Sequence, residues 1–111
     1  MPVDKKRKEM GCPVEATLAV ISGRWKVLAI YHLLQGEKRF GELTRSLDGV
    51  APRTLSKQLR ELEADGILSR KDFGETPPKV EYSLTKLGKS LEPVLLSMES
   101  WGIEQEKRHN P

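Results

Sequence analysis

Pro52-Arg53-Thr54-Leu55-Ser56-Lys57-Gln58-Leu59-Arg60-Glu61-Leu62-Glu63-Ala64-Asp65-Gly66 reads as one helix with a start, two unlike faces and a stop. Proline suits the first helical position, where its missing N–H would have no intrahelical partner. Leu55, Leu59 and Leu62 follow at i, i+4 and i+7, the spacing of a single buried stripe. Gly66 stands where a left-handed residue ends a helix. Arg53, Ser56, Lys57 and Arg60 share the side opposite the leucines, while Glu61, Glu63 and Asp65 lie later or off that stripe. The segment is therefore nearly neutral overall but cationic on one face.

Working towards the N-terminus, Asp48, Gly49 and Val50 form a turn, and before it Gly41 to Leu47 is a short helix burying Leu43 and Leu47. Arg39 and Phe40 read as a brief extended link. Two further short helices come earlier. One opens at Cys12-Pro13 and carries Val14, Leu18 and Ile21; the other follows Ser22-Gly23, carries Trp25, Leu28, Ala29, Leu33 and Leu34, and ends at Gly36. Towards the C-terminus, residues 67–73 and 79–84 alternate as strands around a turn-forming Gly74 to Pro78. Thr85 then caps a last long helix over residues 85–107, in which Leu87, Leu91, Val94, Met98 and Trp101 recur at steps of four, three, four and three, with Leu95 alongside.

The order of elements predicts an α+β, mostly helical chain: a winged helix-turn-helix with a two-stranded wing and a long C-terminal dimerisation helix. A chain of 111 residues has room for one core. Residues 1–11, with Lys5 to Lys8, are expected to form a flexible basic arm, and residues 12–111 the single domain. No long uncharged run is present to span a bilayer, and no apolar segment follows the basic start, so the expected location is the cytoplasm, with no membrane partner. A lone cysteine, Cys12, excludes a disulfide within the chain and leaves too few thiolates for structural zinc, so no metal or cofactor is expected. No His lies at a spacing from Cys12 that signals a triad, which argues against an enzyme and leaves no catalytic residue to name.

Nineteen basic against sixteen acidic residues permit a nucleic-acid partner without requiring one, so the position of the charge decides. A short helix, a tight turn and a helix with leucines inward and cations outward form the arrangement that lays a helix in the major groove of double-stranded DNA. The predicted DNA-binding set on residues 52–65 is Pro52, Arg53, Thr54, Ser56, Lys57 and Arg60. Residues 68–84, the wing, add Arg70, Lys71, Pro77, Pro78 and Lys79 against the backbone or minor groove. The same charge pattern also suits a winged helix that docks on protein or RNA without operator specificity. Trp25, Phe40 and Tyr82 read as core, and His32 as a packed side chain. The apolar stripe of Leu87, Leu91, Val94, Leu95, Met98 and Trp101 is too wide for one small domain to cover, which points to a homodimer or to a helix folded back on its own domain.

Taken together, Cys12-Pro13-Val14-Glu15, Gly23-Arg24-Trp25-Lys26, Arg39-Phe40-Gly41-Glu42-Leu43, Leu59-Arg60-Glu61-Leu62 with Asp65-Gly66, Pro77-Pro78-Lys79-Val80-Glu81-Tyr82 and Leu84-Thr85 with Leu87-Gly88 form a specific set. The chain resembles the HxlR-type regulators of bacteria, within the winged helix-turn-helix proteins related to MarR. The resemblance runs from Cys12 to Gly102. It implies a dimeric transcription factor, repressor or activator, with residues 52–65 in the major groove. Ala51 departs from the pattern, which commonly has Ser or Thr there as a helix cap. In several members of the family a cysteine at the place of Cys12 senses oxidants or electrophiles; the plainer alternative is a small residue packing the dimer edge. No residue pattern names a small-molecule effector.

Overall fold

The stripe of leucines goes inward as its periodicity demands. In the computed structural model, which describes residues 11–109, Leu55, Leu59 and Leu62 are 0%, 1% and 0% exposed and anchor helix α4 (Pro52–Ala64) to the core. Each contributes roughly 1.5–3 kcal/mol by leaving water. Around them pack Val20 and Ile21 of α1 (Pro13–Ile21), Ala29, Ile30 and Leu33 of α2 (Arg24–Leu33), and Leu43 of α3 (Phe40–Ser46) with Leu47 just past it. Trp25, Phe40 and Tyr82 are half-buried against this core. His32 meets Tyr31 edge to face, ring centroids 5.6 Å apart.

Helix α4 stops by a Schellman arrangement. The Ile67 N–H donates to the Leu62 carbonyl at 2.9 Å and the Gly66 N–H to the Glu63 carbonyl at 3.0 Å, while Gly66 takes φ +75°, a value glycine adopts without steric cost. Ile67 is thereby turned back onto Leu62 in the core, and the chain enters β2 (Leu68–Asp72) directly.

The sheet has one strand more than expected. Besides β2 and β3 (Val80–Leu84), residues Lys38–Arg39 form β1, and the antiparallel order is β1-β3-β2. The wing pairs Leu68 with Leu84 through Asp72 with Val80, and β1 pairs Lys38 with Tyr82 and Arg39 with Glu81. The link expected at Arg39 and Phe40 thus divides: Arg39 belongs to the sheet and Phe40 starts α3, where Glu42 Oε1 accepts the Arg39 N–H at 2.8 Å.

The helix expected over residues 85–107 is broken in two, α5 (Lys86–Lys89) and α6 (Glu92–His109). Pro93 supplies the reason, because its ring would clash with the carbonyl four residues back, that of Lys89, in a continuous helix. Leu87 and Leu91 consequently pack half-buried against the core, and Leu95 is buried at 3% exposure. From Leu95 onward α6 has few neighbours, and the radius of gyration, 15.3 Å, exceeds the ~13 Å of a compact domain of this length.

Thr85 fastens α5 to the end of α4. Its hydroxyl lies 2.6 Å from the Gly66 carbonyl and 3.0 Å from that of Ile67, and its oxygen accepts the Gly88 N–H at 3.0 Å. Gly88 sits so close that a Cβ there would lie 2.1 Å from the Ile67 carbonyl oxygen. Gly88→Ala is expected to lower stability by about 1–3 kcal/mol, read as a drop in the thermal unfolding midpoint, because the obstructing atom is backbone; an unchanged midpoint would show that α5 can shift without cost.

Candidate nucleic-acid interface

With its leucines fixed, α4 has no freedom in what it shows to solvent. Pro52, Arg53, Lys57 and Arg60 are exposed, and Thr54 and Ser56 half-buried between them and the core. Arg60 Nη1 donates to Ser56 Oγ at 3.2 Å, one turn back, which draws its guanidinium along the helix. Of the acids flanking this face, Glu61 pairs with Lys26 of α2 at 3.3 Å, and Glu63 lies beside Ser56 and Arg60. Ala51 caps α4 with no side-chain hydrogen bond, and Pro52 has no N–H, so the first turn offers the N–H groups of Arg53 and Thr54 outward. An anion is favoured at such an end by those donors and by the helix dipole.

The wing continues this surface. Strand alternation places Arg70 on the face turned towards α4, where Ser56, Arg60, Glu63, Arg70 and Tyr82 line a cleft of about 330 Å³. Lys71 points from the opposite face of the hairpin. The tip turns at Gly74, whose N–H donates to Asp72 Oδ1 at 2.9 Å, and Pro77 and Pro78 are exposed there, after a cis Thr76–Pro77 bond. The fold therefore brings all eleven residues expected to meet DNA to two adjoining surfaces, the outer face of α4 and the hairpin. Sequence reasoning missed Tyr82 and Glu63 as lining of the cleft between them. It also missed that β1 carries Lys38 and Arg39 up to the wing; two residues are too few to show alternation.

The model of the HxlR-like helix-turn-helix family matches residues 20–110. The chain belongs to this family. It is 54% identical over 92 residues to the helix-turn-helix-type transcriptional regulator YybR of Bacillus subtilis strain 168, an alignment covering 83% of this chain and 74% of that protein. Among solved structures it is similar to the redox regulator HypR in its reduced form, with a TM-score of 0.83 and 50% identity over 86% of this chain and 94% of that one. The oxidised form of HypR matches with a TM-score of 0.80 and 53% identity, over 84% of this chain and 96% of that chain. This HxlR chain is thus a DNA-binding transcriptional regulator with a winged helix-turn-helix and a long C-terminal helix.

A second surface of this HxlR regulator is apolar. The large hydrophobic side chains exposed among the described residues are Val14 and Leu18 of α1 and Val94, Leu96, Met98, Trp101 and Ile103 of α6. Val14 and Leu18, expected in the buried stripe of the first helix, face solvent, and Ala16 and Val20 join Ile21 inside. Cys12, half-buried, is the N-cap of α1, at one end of this apolar zone. The Lys5 to Lys8 cluster and the basic arm fall outside the described residues. No described helix is long and apolar enough to cross a membrane.

One polar contact ties α6 to the DNA-binding body: the Tyr31 hydroxyl of α2 donates to Glu99 Oε2. That hydrogen bond, then the Glu99 charge, then burial, hold the Tyr31 hydroxyl above its ordinary value of 10.0. A folded-state value raised above the unfolded one contributes stability that is present below pH ~10 and lost as pH rises beyond it, because the unfolded chain then gives up the proton that the folded chain keeps. The midpoint of urea unfolding should therefore fall more steeply above pH ~10 in the parent chain than in Tyr31→Phe. Parallel curves would show that Tyr31 and Glu99 do not interact in solution.

Proposed function

We propose that two copies of this chain bind an operator together, each placing α4 in the major groove and its wing on the adjoining backbone or minor groove. The observation that carries this reading is the fixed polarity of α4: fully buried leucines leave Arg53, Lys57 and Arg60 no orientation except outward. In this reading Arg53 reaches a base edge, for which its planar fork is suited. Thr54, Ser56 and the first-turn N–H groups take phosphate oxygens, and Lys57, Arg60, Arg70, Lys71 and Lys79 neutralise further phosphates. Pro52 sets the start of the helix, and Pro77 and Pro78 stiffen the wing tip. The partner copy covers Val94, Met98 and Trp101, together with Leu96, Ile103, Val14 and Leu18; Leu87, Leu91 and Leu95 support that face from within the protomer. Operator half-sites then lie about one helical turn, roughly 34 Å, apart.

Charge reversal tests the DNA face. Arg53→Glu with Lys57→Glu is expected to weaken binding to duplexes recovered from genomic DNA by on the order of 100-fold, measured by fluorescence anisotropy, with an unchanged melting temperature. Retained affinity for DNA would contradict the placement of α4 and favour a module that docks on protein or RNA by another surface. Sedimentation equilibrium tests the second face: the parent chain should be dimeric at micromolar concentration and Trp101→Glu with Met98→Glu monomeric. A monomeric parent would remove the homodimer.

The half-buried thiol at the N-cap of α1, beside the apolar face, supports a redox role, as does the 50% identity to a redox regulator. With one cysteine per chain, oxidation ends in a disulfide between the Cys12 residues of two copies or in a mixed disulfide with a small thiol. Diamide should produce a dimer band on a non-reducing gel, or alter operator affinity in the presence of glutathione, and Cys12→Ser should abolish both effects. Equal responses of the two proteins to oxidant would leave Cys12 a packing residue.

A further inference from the structure

We infer that Phe73 is a positioning residue for DNA, holding Lys71 and Lys79 as a paired phosphate clamp on the wing. The inference deepens the proposed function and rests on the wing meeting the DNA backbone. Phe73 lies one residue beyond the paired part of β2, and its N–H donates to the Lys79 carbonyl at 2.9 Å, so the ladder extends by one step and sets the two residues opposite each other. Lys71 is two residues back along the same strand, hence on the same face. Both ammonium groups converge on one ring: Lys71 Nζ is 4.7 Å and Lys79 Nζ 4.3 Å from the centroid of Phe73. Glu81 is the acid across from Lys71 in the register, yet among the described residues no ion pair takes up Lys71 or Lys79.

Two like charges gathered on one side chain repel, and a free lysine loses rotamer freedom when it is held. The negative face of an aromatic ring offsets both costs. A phosphate that arrives on this surface meets two cations already gathered, so less ordering remains to be done on binding. The core-side face of the sheet, with Leu68 and Leu84, has no part in this arrangement, and Phe73 is half-buried outside the core cluster. A leucine at 73 would keep apolar bulk but provide no ring face, and a tyrosine would keep the face.

The test combines a cycle of variants with a spectroscopic signature, using the full chain and a duplex recovered from genomic DNA by the protein itself. Phe73→Leu is expected to weaken binding about three- to tenfold, and Phe73→Tyr to stay within about twofold of the parent. In the Lys71→Met, Lys79→Met background, Phe73→Leu should cause no further loss. In the free protein the ε-methylene protons of Lys71 and Lys79 should resonate upfield through the ring current, and return to ordinary positions in Phe73→Leu. Equal losses from Phe73→Leu with and without the lysines, or no loss in their presence, would overturn the inference, the first by showing a role in packing. If the double methionine variant itself binds like the parent, the wing does not meet phosphate, and the clamp falls together with that part of the proposed function.

Discussion

Burial of Leu55, Leu59 and Leu62 is the constraint on which the rest of the structure depends. A helix held by one stripe cannot rotate without drawing leucines into water, at a cost of roughly 1.5–3 kcal/mol for each. The outward direction of Arg53, Lys57 and Arg60 is thus a consequence of core packing and needs no contact of their own to maintain it. The Schellman end at Gly66 and the Thr85 hydroxyl bonds extend the same constraint, because they fix the wing and α5 to the terminus of the helix that carries the cations. Recognition helix and hairpin therefore present one rigid surface.

Charge along that surface is sorted as well as exposed. Glu61 is drawn aside by Lys26 and the hydroxyl of Ser56 aligns Arg60, while Glu63 stands beside Arg60 and Arg70 in the cleft between α4 and the wing. The opposite end of the molecule has the reverse character. There α6 projects beyond the core with Met98, Trp101 and Ile103 in water, an arrangement that a lone small domain rarely maintains. Only the Tyr31 to Glu99 hydrogen bond joins this projecting stretch to α2 by a side-chain polar contact among those described.

The sequence carried the helix-turn-helix unit, the wing and the cationic stripe because each rests on local rules: a leucine period, a glycine stop, turn formers between two strands. Family membership was legible too, through motifs spread over the whole chain. Features set by partners distant in the chain were hidden. Strand β1 is two residues long and exists only through Tyr82 and Glu81. The division between α5 and α6 was masked because the apolar steps of four and three run unbroken across it; Pro93 was the signal that could have marked the break. Periodicity likewise could not tell an inward leucine from one left bare, so Leu95 was grouped with Trp101 although one is buried and the other 69% exposed. The ring shared by Lys71 and Lys79 depends on a cross-strand register that composition does not report.

The most direct measurement is a map of backbone amide chemical shifts as a genomic duplex bound by the protein is added at low ionic strength. Changes are predicted to concentrate in residues 51–60 and 70–79, leaving the amides of Leu55 and Leu59 protected from exchange and the exposed half of α6 unmoved. Shifts gathered on α6 or α1, with residues 51–60 silent, would contradict the assignment of the cationic ridge of α4 as the surface that meets DNA.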